Sequence, residues 1–109
     1  MTITRDYKET INERVKKDPA FTAALLDEAI NLFLNGEPDV ARLVLRDLVN
    51  ATVGFEELAL EVEKPSKSLH RMLSARGNPT MDNLTKIISI LRDRLGLDIE
   101  VHITPTHAA

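Results

Sequence analysis

Apolar residues recur along most of this chain at the three- and four-residue spacing of helices, and the breaks between them fall at proline and glycine. Tyr7, Ile11 and Val15 form a narrow stripe over 5–17. Asp18-Pro19 reads as an N-cap followed by proline at the first helical position. Phe21, Leu25, Leu26, Ala29, Ile30 and Phe33 then continue at helical spacing until Asn35-Gly36. Pro38 opens a further helix with Val40, Leu43, Val44 and Leu48 on one face, and Gly54 ends it. Two short helices are predicted next. The first, about 55–62, carries Leu58, Ala59 and Val62; the second, about 66–74, carries Leu69, Met72 and Leu73. After the loop "SARGNPT", Thr80 caps a longer helix bearing Met81, Leu84, Ile87, Ile88, Leu91 and Leu95, and Gly96 stops it.

The period changes once. Over 97–103, "LDIEVHI" alternates strictly, with Leu97, Ile99, Val101 and Ile103 against Asp98, Glu100 and His102. That is the period of a strand with one apolar face. A lone strand leaves its backbone groups unpaired. A pairing partner is therefore expected, and three present themselves: a second copy of the chain, another protein, or the chain's own N-terminal helices. The pattern predicts a mainly α bundle with a short C-terminal β-strand. One compact domain is divided into N-terminal helices (1–35), a central core (36–96) and a strand with its tail (97–109).

Length and composition narrow the picture without naming a chemistry. The 109 residues, 43% of them hydrophobic, suit one small domain whose core is aliphatic. The chain has no cysteine, so disulfides and cysteine-based zinc sites are excluded. No stretch approaches the roughly 20 apolar residues of a membrane span. The N-terminus lacks the apolar run of a secretory signal, so the expected compartment is the cytoplasm. His102 and His107 are too isolated to suggest a metal site. Asp27-Glu28 and Glu56-Glu57 are adjacent pairs whose members point apart on a helix, unlike a catalytic dyad. No Ser-His-Asp grouping or phosphate loop can be argued. The residues point away from an enzyme and from any cofactor.

Charge is where the sequence departs from its average. The net charge is −3, which gives no global signal for nucleic acid. From Lys64 to Arg76, however, there are four basic residues (Lys64, Lys67, Arg71, Arg76), His70 and no carboxylate, directly after Glu56, Glu57, Glu61 and Glu63. With Leu69, Met72 and Leu73 turned inward, Ser66, Lys67, His70 and Arg71 fall outward on the second short helix. Short polar and basic side chains at the start of an exposed helix suit a major groove, where Lys and Arg donate to guanine O6 and N7. The Arg14, Lys16, Lys17 cluster is most simply a helix C-terminus that favours cations.

The ordered set Leu58-Ala59, Ser68-Leu69-His70-Arg71-Met72-Leu73-Ser74 and Gly77-Asn78-Pro79 resembles addiction-module antidote proteins, the HigA-like antitoxins of the Xre/Cro-repressor class. The resemblance runs from about 36 to 103 and is weaker over the N-terminal helices. It implies a lambda-repressor-like helix-turn-helix and a DNA-binding regulator of its own operon. It also implies a role as antitoxin against a RelE-like toxin. Carried over, base-reading positions fall on Ser66, Lys67 and Arg71, and backbone-facing ones on Lys64, His70, Arg76 and Asn78. Such readers usually act as two-fold dimers, so Leu97, Ile99, Val101 and Ile103 are expected at a homodimer interface. The alternatives are a stand-alone or prophage repressor, and a toxin-binding module that has lost operator binding. The turn departs from the family's Gly-Leu-Ser. It reads Glu63-Lys64-Pro65, which puts a non-glycine residue where a left-handed conformation is expected, at roughly 1 kcal/mol.

Overall fold

Prolines and glycines set the helix limits much as the pattern predicts. In the computed structural model, which describes residues 19–106, five helices follow one another. They are α1 (Pro19–Leu34), α2 (Pro38–Ala51), α3 (Phe55–Val62), α4 (Ser66–Met72) and α5 (Met81–Arg94). The stripe over 5–17, the Asp18 cap and the cluster Arg14, Lys16 and Lys17 lie outside the described residues. Pro38 stands in the first turn of α2 with Asp39, where a missing N–H costs nothing and a carboxylate favours the helix dipole. Thr80 caps α5 by accepting a hydrogen bond from the Asn83 N–H at 3.1 Å, and Arg92 and Arg94 fill its last turn.

Three helices end in the same way. Past α1, Glu37 N–H donates to Leu32 O at 2.9 Å and Gly36 N–H to Phe33 O at 3.4 Å. Past α5, Leu97 N–H donates to Arg92 O at 2.9 Å and Gly96 N–H to Asp93 O at 3.3 Å. Both are Schellman closures with a left-handed glycine, at φ +86° and +64°. Past α3, Lys64 N–H donates to Ala59 O at 3.1 Å in the equivalent bond, but the left-handed residue is Glu63, at φ 57°. This is the non-glycine residue with positive φ among the described residues. Glu63→Gly is expected to raise stability by about 1 kcal/mol, because a Cβ is unfavourable in that conformation. Urea denaturation of the two proteins, with unchanged slope, checks it.

The core joins four helices and borrows from the fifth. Leu45, Leu48 and Val49 of α2, Leu58 of α3, Leu69 of α4, Leu73 just beyond it, and Ile87 and Leu91 of α5 are its largest fully buried side chains. Leu26 and Ala29 of α1 close one side, and α1 with α2 forms the most extensive helix pair. Ala59 and Val62 join this core; Met72, Leu84 and Ile88 are half-buried against it. The α2 face is rotated from the predicted one. Ala41, Leu45, Leu48 and Val49 are buried, while Val40 and Leu43 remain more than a third exposed. The buried row carries Leu45, Leu48 and Val49 as well as Ala41, whereas the row through Val40 and Val44 runs on to Asp47.

The predicted C-terminal strand is absent. Residues 97–106 carry no regular secondary structure. Leu97 packs on the core. Beyond it, exposure climbs from 36% at Ile99 to 53% at Val101 and 94% at Ile103. Alternation describes only which side chains share a face. A strand also needs a neighbouring backbone to pair with, and no described segment supplies one. Residues 97–102 instead stand across an open groove of about 700 Å³ from Leu26, Asp27, Ile30, Asn31 and Leu34 of α1. No helix among the described residues is long and apolar enough to cross a membrane.

Candidate nucleic-acid interface

α4 has seven residues, and its position depends on two anchors rather than on its own propensity. Leu69 and Leu73, four apart, are buried beneath it. At its start, Ser68 N–H and Leu69 N–H donate to Pro65 O at 2.9 and 3.3 Å. Pro65 is the N-cap, at φ −61° and ψ 143°, and offers no side-chain acceptor. It therefore precedes the first turn rather than occupying it, and its fixed φ sets the angle at which the chain enters α4.

With that inner row held, Lys67 and Arg71, one turn apart, are exposed on the outer side. Ser66 and His70 form the neighbouring row and are half-buried. The His70 ring stacks on Phe55, the first residue of α3, with centroids 3.9 Å apart and planes inclined by 19°. His70 thus has a packing role between α3 and α4, which the sequence pattern did not suggest. Lys64 sits half-buried in the turn, and Arg76 and Asn78 are exposed in the loop after α4. The seven candidate residues therefore lie along one continuous stretch of the surface: turn, α4, loop.

The electrostatics of this surface follow from pairings made elsewhere. Among the described residues, Lys64, Lys67, Arg71 and Arg76 enter no ion pair. Two of the four preceding glutamates are neutralised from α5: Arg94 hydrogen-bonds Glu57 and lies 3.2 Å from Glu61. The Glu57 carboxylate first, and Glu61 after it, raise the Arg94 pKa above its ordinary value. Glu56 and Glu63 are exposed and unpaired among the described residues. Among the described residues, three exposed cations (Lys67, Arg71, Arg76) and the half-buried Lys64 thus lie unpaired beside the unpaired Glu56 and Glu63, while Glu57 and Glu61 are occupied.

The loop that follows α4 is held from below. Gly77 N–H donates to Ser74 O at 3.0 Å, and the Ser74 hydroxyl donates to Arg71 O at 2.8 Å. Arg42, on α2, reaches the same loop: its Nε donates to Ser74 O at 2.9 Å and its Nη2 to Ala75 O at 2.8 Å. Nothing in the sequence singles out Arg42, which lies 32 residues from Ser74 on the polar side of an ordinary amphipathic helix. Three or more histidine or carboxylate side chains do not converge anywhere among the described residues. Compared with family models, curated proteins and solved structures, the chain matches none.

Proposed function

We propose that this protein is a DNA-binding transcriptional regulator, reading double-stranded operator DNA with a lambda-repressor-like helix-turn-helix formed by α3, the Glu63–Pro65 turn and α4. The observation that carries the reading is α4 itself. A short helix is pinned by Leu69 and Leu73, and it presents Lys67 and Arg71 to solvent with no carboxylate partner among the described residues. In this reading Ser66, Lys67 and Arg71 meet base edges. Lys64, His70, Arg76 and Asn78 flank the phosphates, and His70 does so with one ring face already occupied by Phe55. The resemblance to HigA-like antitoxins extends the proposal to repression of its own operon and neutralisation of a RelE-like toxin.

The test is a titration of the purified protein against a labelled duplex from the DNA upstream of its own gene, and against a random duplex of equal length, over a range of salt. Tighter binding to the upstream duplex, with log Kd rising linearly with log salt, supports the proposal. Equal affinity for the two duplexes sinks the operator reading.

A second reading is favoured by the exposed apolar positions Ile99, Val101 and Ile103 and by the free carboxylates of Glu56 and Glu63. Here the chain is a protein-binding module whose partner is the toxin and which no longer holds an operator. Salt-dependent DNA binding separates the two readings.

Homodimerisation through residues 97–103 is part of the first proposal. Among the described residues the segment has no pairing strand, and its apolar and polar side chains alternate in sequence. An antiparallel pair across a two-fold axis satisfies both copies. Deleting residues 97–109 is then expected to give a monomer with weakened operator binding, and Val101→Pro to disrupt the same ladder. Light scattering reads the mass. A truncated protein that stays dimeric and binds as before moves the interface to the helices.

A further inference from the structure

We infer that Arg42 is a positioning residue of the nucleic-acid surface: from α2 it sets the loop after α4 so that Arg76 and Asn78 are presented beside Lys67 and Arg71. The inference rests on the DNA reading above and deepens it.

The loop from Ser74 to Thr80 is tied to α4 at its start, where the Ser74 N–H and hydroxyl donate to Arg71 O at 3.2 and 2.8 Å, but has few bonds of its own beyond that. Within it, the one backbone bond is Gly77 N–H to Ser74 O, and the next comes only at Leu84 N–H to Thr80 O. A segment with so few internal bonds takes its position from whatever it rests on. Arg42 supplies that support. Its guanidinium is planar and donates in a fixed fork, here to two consecutive carbonyls, Ser74 O and Ala75 O. Two bonds to adjacent peptide groups fix the orientation of the chain as well as its place. Arg76 is the next residue.

Arg42 itself is well placed to act as a strut. It is half-buried, and its neighbour Ala41 and the residue one turn on, Leu45, are fully buried. Its backbone is therefore part of the core wall. The two carbonyls it meets lie just past α4, in the loop itself. Ser74 O accepts from Gly77 N–H as well, so Arg42 and the loop's own turn converge on one oxygen. Once Nε and Nη2 are engaged with Ser74 and Ala75, the guanidinium is committed to the loop. Its contribution to DNA binding is then exerted through Arg76 and Asn78.

Lysine keeps the charge at position 42 but loses the fork, which makes Arg42→Lys the informative variant. The experiment compares wild type, Arg42→Lys, Arg76→Ala and the double variant. It measures anisotropy of a labelled upstream duplex from low to moderate salt, and hydrogen exchange of the loop amides without DNA. Arg42→Lys is expected to lower affinity about 5-fold and to flatten the salt dependence by about one phosphate contact, matching Arg76→Ala. The double variant is expected to bind within about 2-fold of Arg76→Ala alone, since the two residues act on one contact. The amides of 75–77 are expected to exchange faster in Arg42→Lys while those of the core are unchanged. Should Arg42→Lys not fold, Arg42→Gln, which keeps an amide donor group but loses the charge and the fork, gives the same readouts. Losses that multiply in the double variant, or an Arg42→Lys protein with wild-type slope and exchange, overturn the role of Arg42. A wild type that binds no duplex overturns the DNA reading, a distinct result.

Discussion

Gly77→Ala is expected to cost about 3 kcal/mol of stability, or to prevent stable folding, through overpacking against backbone. Glycine's usual licence is not the reason, since Gly77 is absent from the glycines with positive φ. The reason is proximity. A Cβ built on Gly77 meets Met72 O at 2.2 Å, Arg71 O at 2.5 Å and the Met72 carbonyl carbon at 2.7 Å. These atoms belong to the last turn of α4, and none can rotate away as a side chain tip does. Relief requires the loop to lift from α4 or the last turn to unwind, and either loosens the seat of Leu73. Gly96→Ala is the informative contrast. Gly96 has φ +64° in a Schellman closure but open space around its Cβ position, so about 1 kcal/mol is expected there. Thermal and urea unfolding of the two variants decide between them. Equal small losses would falsify the close-approach account.

Arg71→Ala is expected to weaken operator binding by about 1–3 kcal/mol and to relax sequence preference. Its effect on folding is expected to be small, within about 0.5 kcal/mol, because the side chain is exposed and unpaired among the described residues. The small loss that remains comes from removing a cation in the last turn of α4. Affinity and stability therefore separate cleanly at this position, as they do not at Leu69, which is buried beneath it. Arg76→Ala provides the comparison. A phosphate contact should weaken operator and random duplex alike and lower the salt slope by roughly 0.9. If Arg71→Ala also lowers the two affinities equally, Arg71 meets the backbone, and base reading must be sought at Ser66 and Lys67.

The turn between α3 and α4 links these sites to the cost of folding. Glu63 holds a left-handed conformation that glycine takes at the ends of α1 and α5. It also puts a carboxylate beside the proposed surface. Glu63→Gly removes the strain and the charge together, so a gain in stability with a gain in DNA affinity is the expected pairing. Glu63→Gln separates them, because it keeps the strained Cβ and loses only the charge.

What the sequence by itself determined is local. Helix limits depend on residues within a turn of the boundary: Pro38 and Thr80 at starts, Gly36 and Gly96 at ends. They could be placed because capping and left-handed closure act over four or five residues. The inward rows of α3, α4 and α5 were legible for a similar reason, since one stripe on each was clearly the most apolar. With those rows inside, Lys67 and Arg71 had to be outside. The left-handed residue in the turn was also readable, from the place glycine holds in the turn of the proteins the sequence resembles. Tertiary structure decided the rest. It turned the row of Ala41, Leu45, Leu48 and Val49 on α2 inward and left Val40 and Leu43 more than a third exposed. It left 97–103 without regular secondary structure, because strand formation depends on a second backbone that alternation cannot supply. It stacked His70 on Phe55, and it brought Arg42 under a loop 32 residues away. It also made Gly77 a matter of contact with α4 rather than of dihedral angle. Apart from the Gly77 contact, which is local but leaves no trace in the hydrophobic pattern, these depend on residues distant in the chain meeting, and periodicity carries no record of such meetings.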